Sequence, residues 1–242
     1  MGRIIPMLVV ALFAAGCSLP FGGLDEVIGS GDEATETRLV DGFDAVRLEG
    51  VGAVDVSEGD GFSVEVTADD NLLGRITTEV EAGTLVIDVE QGFTIVPRSG
   101  ITVTVVLPDL TGLDVSGAGD IDAGPIEADA FAIGVSGAGA ISVAELVAEE
   151  LTVTLSGVGG VRIDGGEVSD QSVTLSGVGD YSAADLASAT AEVRSSGVGA
   201  VEVWATDRLV ASISGTGDVR YRGSPSTEVS ISGLGSFEAI DD

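Results

Sequence analysis

Ser116–Ala123, SGAGDIDA, is the first of seven near-copies that decide how this chain folds. The others are SGAGAISV from Ser136, SGVGGVRI from Ser156, SGVGDYSA from Ser176, SGVGAVEV from Ser196, SGTGDVRY from Ser214 and SGLGSFEA from Ser232. Successive starts are 20, 20, 20, 20, 18 and 18 residues apart. That period is too regular for loops and too short for a unit that folds alone, so each copy is one layer of a stack.

Aligned on their serines, the copies show columns of constant character. Three residues before the Ser stand Leu113, Ile133, Val153, Val173, Val193, Ala211 and Val229, and one before it Val115, Val135, Leu155, Leu175, Ser195, Ile213 and Ile231. Five after it stand Ile121, Ile141, Val161, Tyr181, Val201, Val219 and Phe237, and seven after it Ala123, Val143, Ile163, Ala183, Val203, Tyr221 and Ala239. The residues between these columns lack large aliphatics. Period-two alternation of this kind marks half-buried strands whose apolar columns point inward.

Glycine flanks one small or aliphatic residue in every copy, as Gly117 and Gly119, Gly137 and Gly139, Gly157 and Gly159, Gly177 and Gly179, Gly197 and Gly199, Gly215 and Gly217, Gly233 and Gly235. Placed between two alternating strands, the pairs read as corners where the backbone bends sharply and can take positive φ. The rest of each copy is a variable return, with a third apolar patch such as Ile126 with Ala128, and the two shorter spacings place their deletion there. One coil cannot stand alone, because four inward side chains gain at most about 1.5–3 kcal/mol each. Fixing some 20 backbones costs about 1–2 kcal/mol per residue, so only stacking makes the coil stable. The fold class expected is all-β, a right-handed parallel β-helix of about seven coils of 18–20 residues, forming a rod of roughly 34 Å.

Ahead of the repeats, residues 38–110 hold short alternating runs such as Phe62–Val66, Leu85–Val89 and Ile101–Val106, separated by Gly, Asp and Asn clusters. Glu49–Val54, EGVGAV, looks like a worn copy of the later phrase, so this part reads as a degenerate, capping region of the same stack. The domain division expected is thus 1–16 signal peptide, 17–37 flexible tether, 38–110 N-terminal β-rich part and 111–242 repeat β-helix. Residues 18–37, rich in Gly, Ser and acidic residues without a sustained period, give the tether.

The first residues address the chain for export. Arg3 is a minimal basic start, Ile4 to Ala15 form an apolar run interrupted by Pro6, and Ala14-Ala15-Gly16-Cys17 follows. Twelve apolar positions suit a signal-peptide core and fall short of the roughly 20 residues that cross a membrane. Cys17 is the only cysteine, which excludes an internal disulfide, and its setting resembles a bacterial lipobox. The expectation is diacylglyceryl attachment at Cys17, with palmitate-type acyl chains holding the protein on the outer face of a bacterial membrane; ordinary secretion is the alternative.

Composition restricts the partners. Net charge is -30, and the ten basic residues are all Arg. Such a surface repels phosphate backbones, so nucleic acid is excluded as a partner. The serines have no His or Lys to act as base, which removes nucleophilic hydrolysis. Asp120, Asp180 and Asp218 follow the glycine pair, but the same column holds Ala140, Gly160, Ala200 and Ser236. A calcium repeat needs a carboxylate at every turn, so no metal or cofactor is expected, and the Asp column reads as a solvated turn position. Tyr181, Tyr221 and Phe237 fall in inward columns and read as core, whereas Trp204, one past an inward position, is the candidate contact residue.

The chain also resembles a known family, the head GIN domain proteins named as auto-transporter adhesins. The resemblance rests on Gly42-Phe43-Asp44-Ala45-Val46, on Asn71-Leu72-Leu73 followed by Thr84-Leu85-Val86-Ile87, on Val103–Leu110 with its LPDL, and on the repeated Ser-Gly-x-Gly. It implies an exported, often lipid-anchored β-helical protein with no catalytic residues to carry over. The function expected is a non-enzymatic surface protein, an adhesin or envelope-binding module with an unidentified protein or glycan ligand. A carbohydrate-active β-helix enzyme, a polysaccharide lyase or hydrolase, is the alternative, and a structural spacer the third reading. An enzyme requires a groove where acidic and Arg residues converge.

Overall fold

The computed structural model of the protein describes residues 25–240. The signal segment 1–16, Cys17 and the first part of the expected tether lie outside the described residues, so the structure does not bear on export or lipidation. Nine strands precede the repeats: β1 (Asp25–Ile28), β2 (Glu33–Arg38), β3 (Ala45–Leu48), β4 (Val51–Glu58), β5 (Ser63–Asp69), β6 (Ile76–Glu81), β7 (Thr84–Val89), β8 (Phe93–Val96) and β9 (Thr102–Leu107). The repeats supply β10 (Gly112–Val115), β11 (Ala118–Val135), β12 (Ala138–Leu155), β13 (Val158–Ile163), β14 (Gly166–Leu175) and β15 (Tyr181–Ser195). They end with β16 (Val201–Ile213), β17 (Val219–Arg222), β18 (Ser226–Ile231) and β19 (Phe237–Ala239).

Neighbouring repeats pair in parallel at the sequence period. Ile121 lies beside Ile141, Ile126 beside Leu146 and Ile133 beside Val153, each 20 residues on. These three registers belong to three consecutive faces of one coil, so β11 and β12 wrap around the core as continuous bent strands. The variable return is therefore a third ladder rather than a loop, and the protein is a three-sided β-solenoid. It makes about six turns rather than seven. The phrase marks a corner, and seven corners enclose six full turns.

Short of the C-terminal coil, the inward columns behave as their chemistry demands. Val153, Val173 and Val193 are fully buried, as are Ile121, Ile141 and Val201. The two-residue deletion also falls where the repeats vary: β15 and β16 shift register between Ala183 and Ala187 and again between Ser188 and Thr190, then continue at the 18-residue offset. Tyr181 is accommodated by small neighbours in its own coil, since Ala183, Ser188, Ala191 and Ser195 occupy inward positions there. Large against small keeps the layer at native packing density.

Not every inward position is apolar. Gln171 is buried in the file of Leu151, Ala191 and Leu209, and neither its Oε1 nor its Nε2 has a partner. A buried amide without hydrogen bonds costs about 1–3 kcal/mol. Gln171→Leu, which keeps the volume and removes the polar atoms, should therefore raise the melting temperature by about 2–6 °C. Thermal unfolding followed by circular dichroism reads this directly, and a lowered midpoint would show that the amide is satisfied inside the coil.

The region before the repeats continues the stack and then closes it. Gly52 of β4 lies beside Gly119 and Val54 beside Ile121, so the worn phrase at Glu49–Val54 stacks against the first repeat in the same register. Below it, β7 pairs in parallel with β3 and β9 with β4. The direction then reverses: β5 is antiparallel to β9, β6 to β7 and β2 to β5. Buried Leu72 and Leu73, in the connection between β5 and β6, close this end of the core.

The second half of the expected tether, 25–37, is strand. β1 pairs with β8 and β2 with β5, where the low apolar content hid them. What fixes them is polar. Asp69 is fully buried and accepts hydrogen bonds from the N–H groups of Gly31 (2.7 Å), Arg98 (2.8 Å) and Ser99 (3.3 Å), and from the Ser99 hydroxyl (3.0 Å). One carboxylate thus joins the β1–β2 turn, the end of β5 and the β8–β9 loop.

Candidate contact surface

The Ser-Gly-x-Gly phrase builds the most regular surface of the molecule. The chain turns at the Ser and first Gly; the middle residue and second Gly already lie in the next ladder, as Ala118 and Gly119 do at the start of β11. At each step the N–H of the middle residue donates to the first-Gly carbonyl one coil below. Ala118 donates to Gly50, Ala138 to Gly117, Val158 to Gly137 and Val178 to Gly157 at 2.9 Å, and Val198 to Gly177, Thr216 to Gly197 and Leu234 to Gly215 at 3.0 Å. Seven successive bonds of the same type hold eight middle residues in one straight file.

The glycines are set by this stacking. A Cβ on Gly157 would overlap the backbone carbonyl of Gly137, and one on Gly139 that of Gly119. Positive φ is a lesser factor: Gly52, Gly159, Gly179 and Gly199 have it, at 130°, 151°, 158° and 147°, whereas the first glycines of the phrases do not. Close approach of backbones is therefore the main reason for glycine here, rather than the bend expected from sequence.

Bare glycines on both sides leave the middle side chains standing proud. Val51, Ala118, Ala138, Val158, Val178, Val198, Thr216 and Leu234 are all exposed, and exposure reaches 60% at Val158 and 86% at Leu234. An aliphatic ridge runs the length of the solenoid on a protein of net charge -30. Exposed single valines mean little, but an ordered file of them is a candidate contact surface.

Beside the ridge, the Asp column has a structural role. The Ala140 N–H donates to Asp120 Oδ1 (2.8 Å), the Ala200 N–H to Asp180 Oδ1 (2.7 Å), and the Ser236 N–H and hydroxyl to Asp218 Oδ1 (2.9 and 2.7 Å). Each carboxylate satisfies the equivalent residue one coil above, which corrects the view of a merely solvated position. The hydroxyl and N–H of Ser236, with Arg220 nearby, hold the Asp218 carboxyl below its ordinary value despite partial desolvation. Asp180→Ala should cost about 1 kcal/mol by orphaning the Ala200 N–H, measured by urea denaturation. The serines contribute little: Ser176 Oγ donates to the Leu155 carbonyl at 3.4 Å, and among the described residues the serine column is otherwise free of side-chain hydrogen bonds.

Trp204, the candidate contact residue, is half-buried at the register shift between β15 and β16, away from the ridge, and its carbonyl accepts from Ser188 Oγ (2.7 Å). Tyr181 is fully buried, and burial pushes its hydroxyl pKa up; Tyr221 and Phe237 stack at 4.8 Å near the last coil. Acidic and Arg residues do meet in one open groove of about 570 Å³ across β12, β14, β15, β16 and β18. Several of its charged groups are engaged, Glu192 with an Arg outside the lining. Asp170 accepts from Thr190, Glu192 pairs with Arg194, and Arg208 pairs with Glu228 at 3.2 Å.

A family match places this geometry. The family described as "Putative auto-transporter adhesin, head GIN domain" matches residues 42–225. The chain belongs to it. A crystal structure of a "putative adhesin" from Bacteroides fragilis NCTC 9343 superposes with a TM-score of 0.84 at 25% identity, covering 88% of this chain and all of that one (100%). Another from Parabacteroides distasonis ATCC 8503 gives 0.72 at 26% identity, covering 89% and 100%. A third, from Parabacteroides merdae ATCC 43184, shares the fold at 0.68 and 22% identity, covering 90% and 100%. Among curated proteins, none matches the chain. The head GIN domain chain thus shares its solenoid with these three proteins, and the ridge is the part of it that the Ser-Gly-x-Gly phrase constructs.

Proposed function

We propose that this head GIN domain protein is an exported, lipid-anchored, non-enzymatic adhesin or envelope-binding module of a bacterial surface, and that it touches its partner through the aliphatic ridge. The observation that carries this reading is the file from Val51 to Leu234, eight exposed side chains in single register on a strongly acidic rod. A repeated flat ridge offers many weak, equivalent contacts, which suits attachment to an extended protein or glycan more than capture of one small molecule. The lipid at Cys17 supplies the membrane attachment, and the acidic faces keep neighbouring rods apart.

Residues 25–242 contain the whole described core and can be screened against arrays of glycans and extracellular proteins. Replacing Val158, Val178 and Val198 together by Ser should reduce retention of any bound species at least about tenfold while leaving the melting temperature within a few degrees. Undiminished binding by the triple variant would move the contact surface elsewhere. Metabolic labelling with a fatty acid tests the anchor: the wild type takes up label and Cys17→Ala does not. The enzymatic alternative places its chemistry in the open groove, and hydrolysis or lyase cleavage of a polysaccharide, lost in Glu150→Gln, would replace the adhesin reading.

A further inference from the structure

The two ends of the solenoid are built differently. At the N-terminal end the outermost strands are β2, EATETR, and β6, ITTEVE, whose Glu33, Glu36, Glu79 and Glu81 place charge along the unpaired edges. Charged edge strands of this kind discourage pairing with another chain. At the other end the last strands are β18, STEVSI, and β19, FEA, which pair inward with β16 and β17 and have no outer partner among the described residues. Core positions are cut open there. Val229 is 38% and Ile231 47% exposed, although the equivalent Ala211 and Ile213 one coil below are buried. β18 carries a single charge, Glu228, already paired with Arg208.

The hydrogen-bonding capacity of this edge can be assigned. The Ser232 N–H donates back to the Ile213 carbonyl, and in a parallel ladder alternate residues turn both backbone groups to the same side. The backbone groups of Glu228, Ser230 and Ser232 therefore face the coil below, while Thr227, Val229 and Ile231 face outward with both N–H and C=O free. The side chains of these three outward-facing residues all lie in the inward columns.

We propose that this open end pairs with the same end of a second copy, β18 against β18 in antiparallel register about a two-fold axis at Val229. In that register Val229 meets Val229 and Thr227 meets Ile231 as hydrogen-bonded pairs, and the half-exposed core residues of both chains are covered. On the outer face Glu228 meets Ser230 and not a second Glu228, so no like charges are opposed along the β18 pair. The capped, charged N-terminal end prevents the same contact from propagating, which gives a closed dimer and not a filament. The dimer presents two ridges in one particle.

The test uses residues 25–242, which contain no cysteine, in equilibrium ultracentrifugation. The wild type should be a dimer at about 10 µM, and Val229→Lys, which places two ammonium groups opposite each other, should be a monomer with an unchanged circular dichroism spectrum. Val229→Cys should oxidise to a covalent dimer, whereas Thr227→Cys, with its copies about 13 Å apart across the axis, should not. A wild type that stays monomeric up to about 100 µM, or equal cross-linking at both positions, would overturn the proposal.

Discussion

Gly157→Ala should destabilise the solenoid by more than about 3 kcal/mol, among the largest effects expected of any one-carbon change in this chain. The new Cβ would overlap the carbonyls of Gly137 and Ser136, which belong to the coil below and are not flexible side-chain ends. Gly137 cannot retreat without cost, because its carbonyl accepts the Val158 N–H at 2.9 Å. Making room for one methyl group therefore breaks the ladder on the ridge itself. Gly61→Ala is the matched control. Gly61 has open space around it and no positive φ, so the substitution should fall within about 0.5 kcal/mol of the wild type. Urea denaturation of the two variants separates a collision between coils from a general intolerance of alanine.

Asp69→Asn is the second large effect, and it acts at the opposite end of the molecule. Burial alone would push the Asp69 carboxyl up, but the N–H groups of Arg98, Gly31 and Ser99 and the Ser99 hydroxyl together hold it below the ordinary aspartate range. A carboxyl lowered on folding stabilises the folded state above its unfolded pKa, and that contribution disappears as pH falls through the folded value. The melting-temperature gap between wild type and Asp69→Asn should therefore be widest and constant above about pH 5 and shrink as the medium becomes more acid than about pH 4. The first segments to loosen should be β1 and β2, since the Gly31 bond anchors the turn between them and the Arg98 bond holds the loop that follows β8, the partner of β1. Hydrogen exchange at Glu33–Arg38 reports this, and uniform loosening of the repeats instead would contradict the local role given to Asp69.

These two predictions mark what sequence could and could not reveal. The period of the phrase and the alternation of Val153, Val173 and Val193 determined the stack, because a repeated environment writes the same residue type at every turn. The third face was harder to see: Glu145 to Ala148 and Asp185 to Ser188 are short, half-polar and different in each coil, so no column announced a ladder. β2 was hidden for another reason. Its strand is held by backbone pairing to β5 and by one distant carboxylate, and neither leaves an apolar pattern. At the contact surface, the glycines were visible as a motif while their cause was not, since a Cβ collision between residues 20 apart exists only once the coils are stacked. Val158, Val178 and Val198 read only as the small or aliphatic residues between the glycines of a corner, with nothing in the sequence to mark them as exposed. Their exposure follows from the corner lying at the Ser and first Gly, one residue earlier than the spacing suggested.

The stacking of the phrases is the claim on which the ridge, the glycines and the dimer edge all depend. Spin labels at Ala118 and Thr216, attached through cysteines in residues 25–242, lie five coil steps apart along the ridge. At about 4.8 Å per step, pulsed dipolar spectroscopy should give a narrow distribution centred at about 24 Å, widened only by the label arms. A broad distribution, or a centre beyond about 40 Å, would mean that successive Ser-Gly-x-Gly units do not lie over one another.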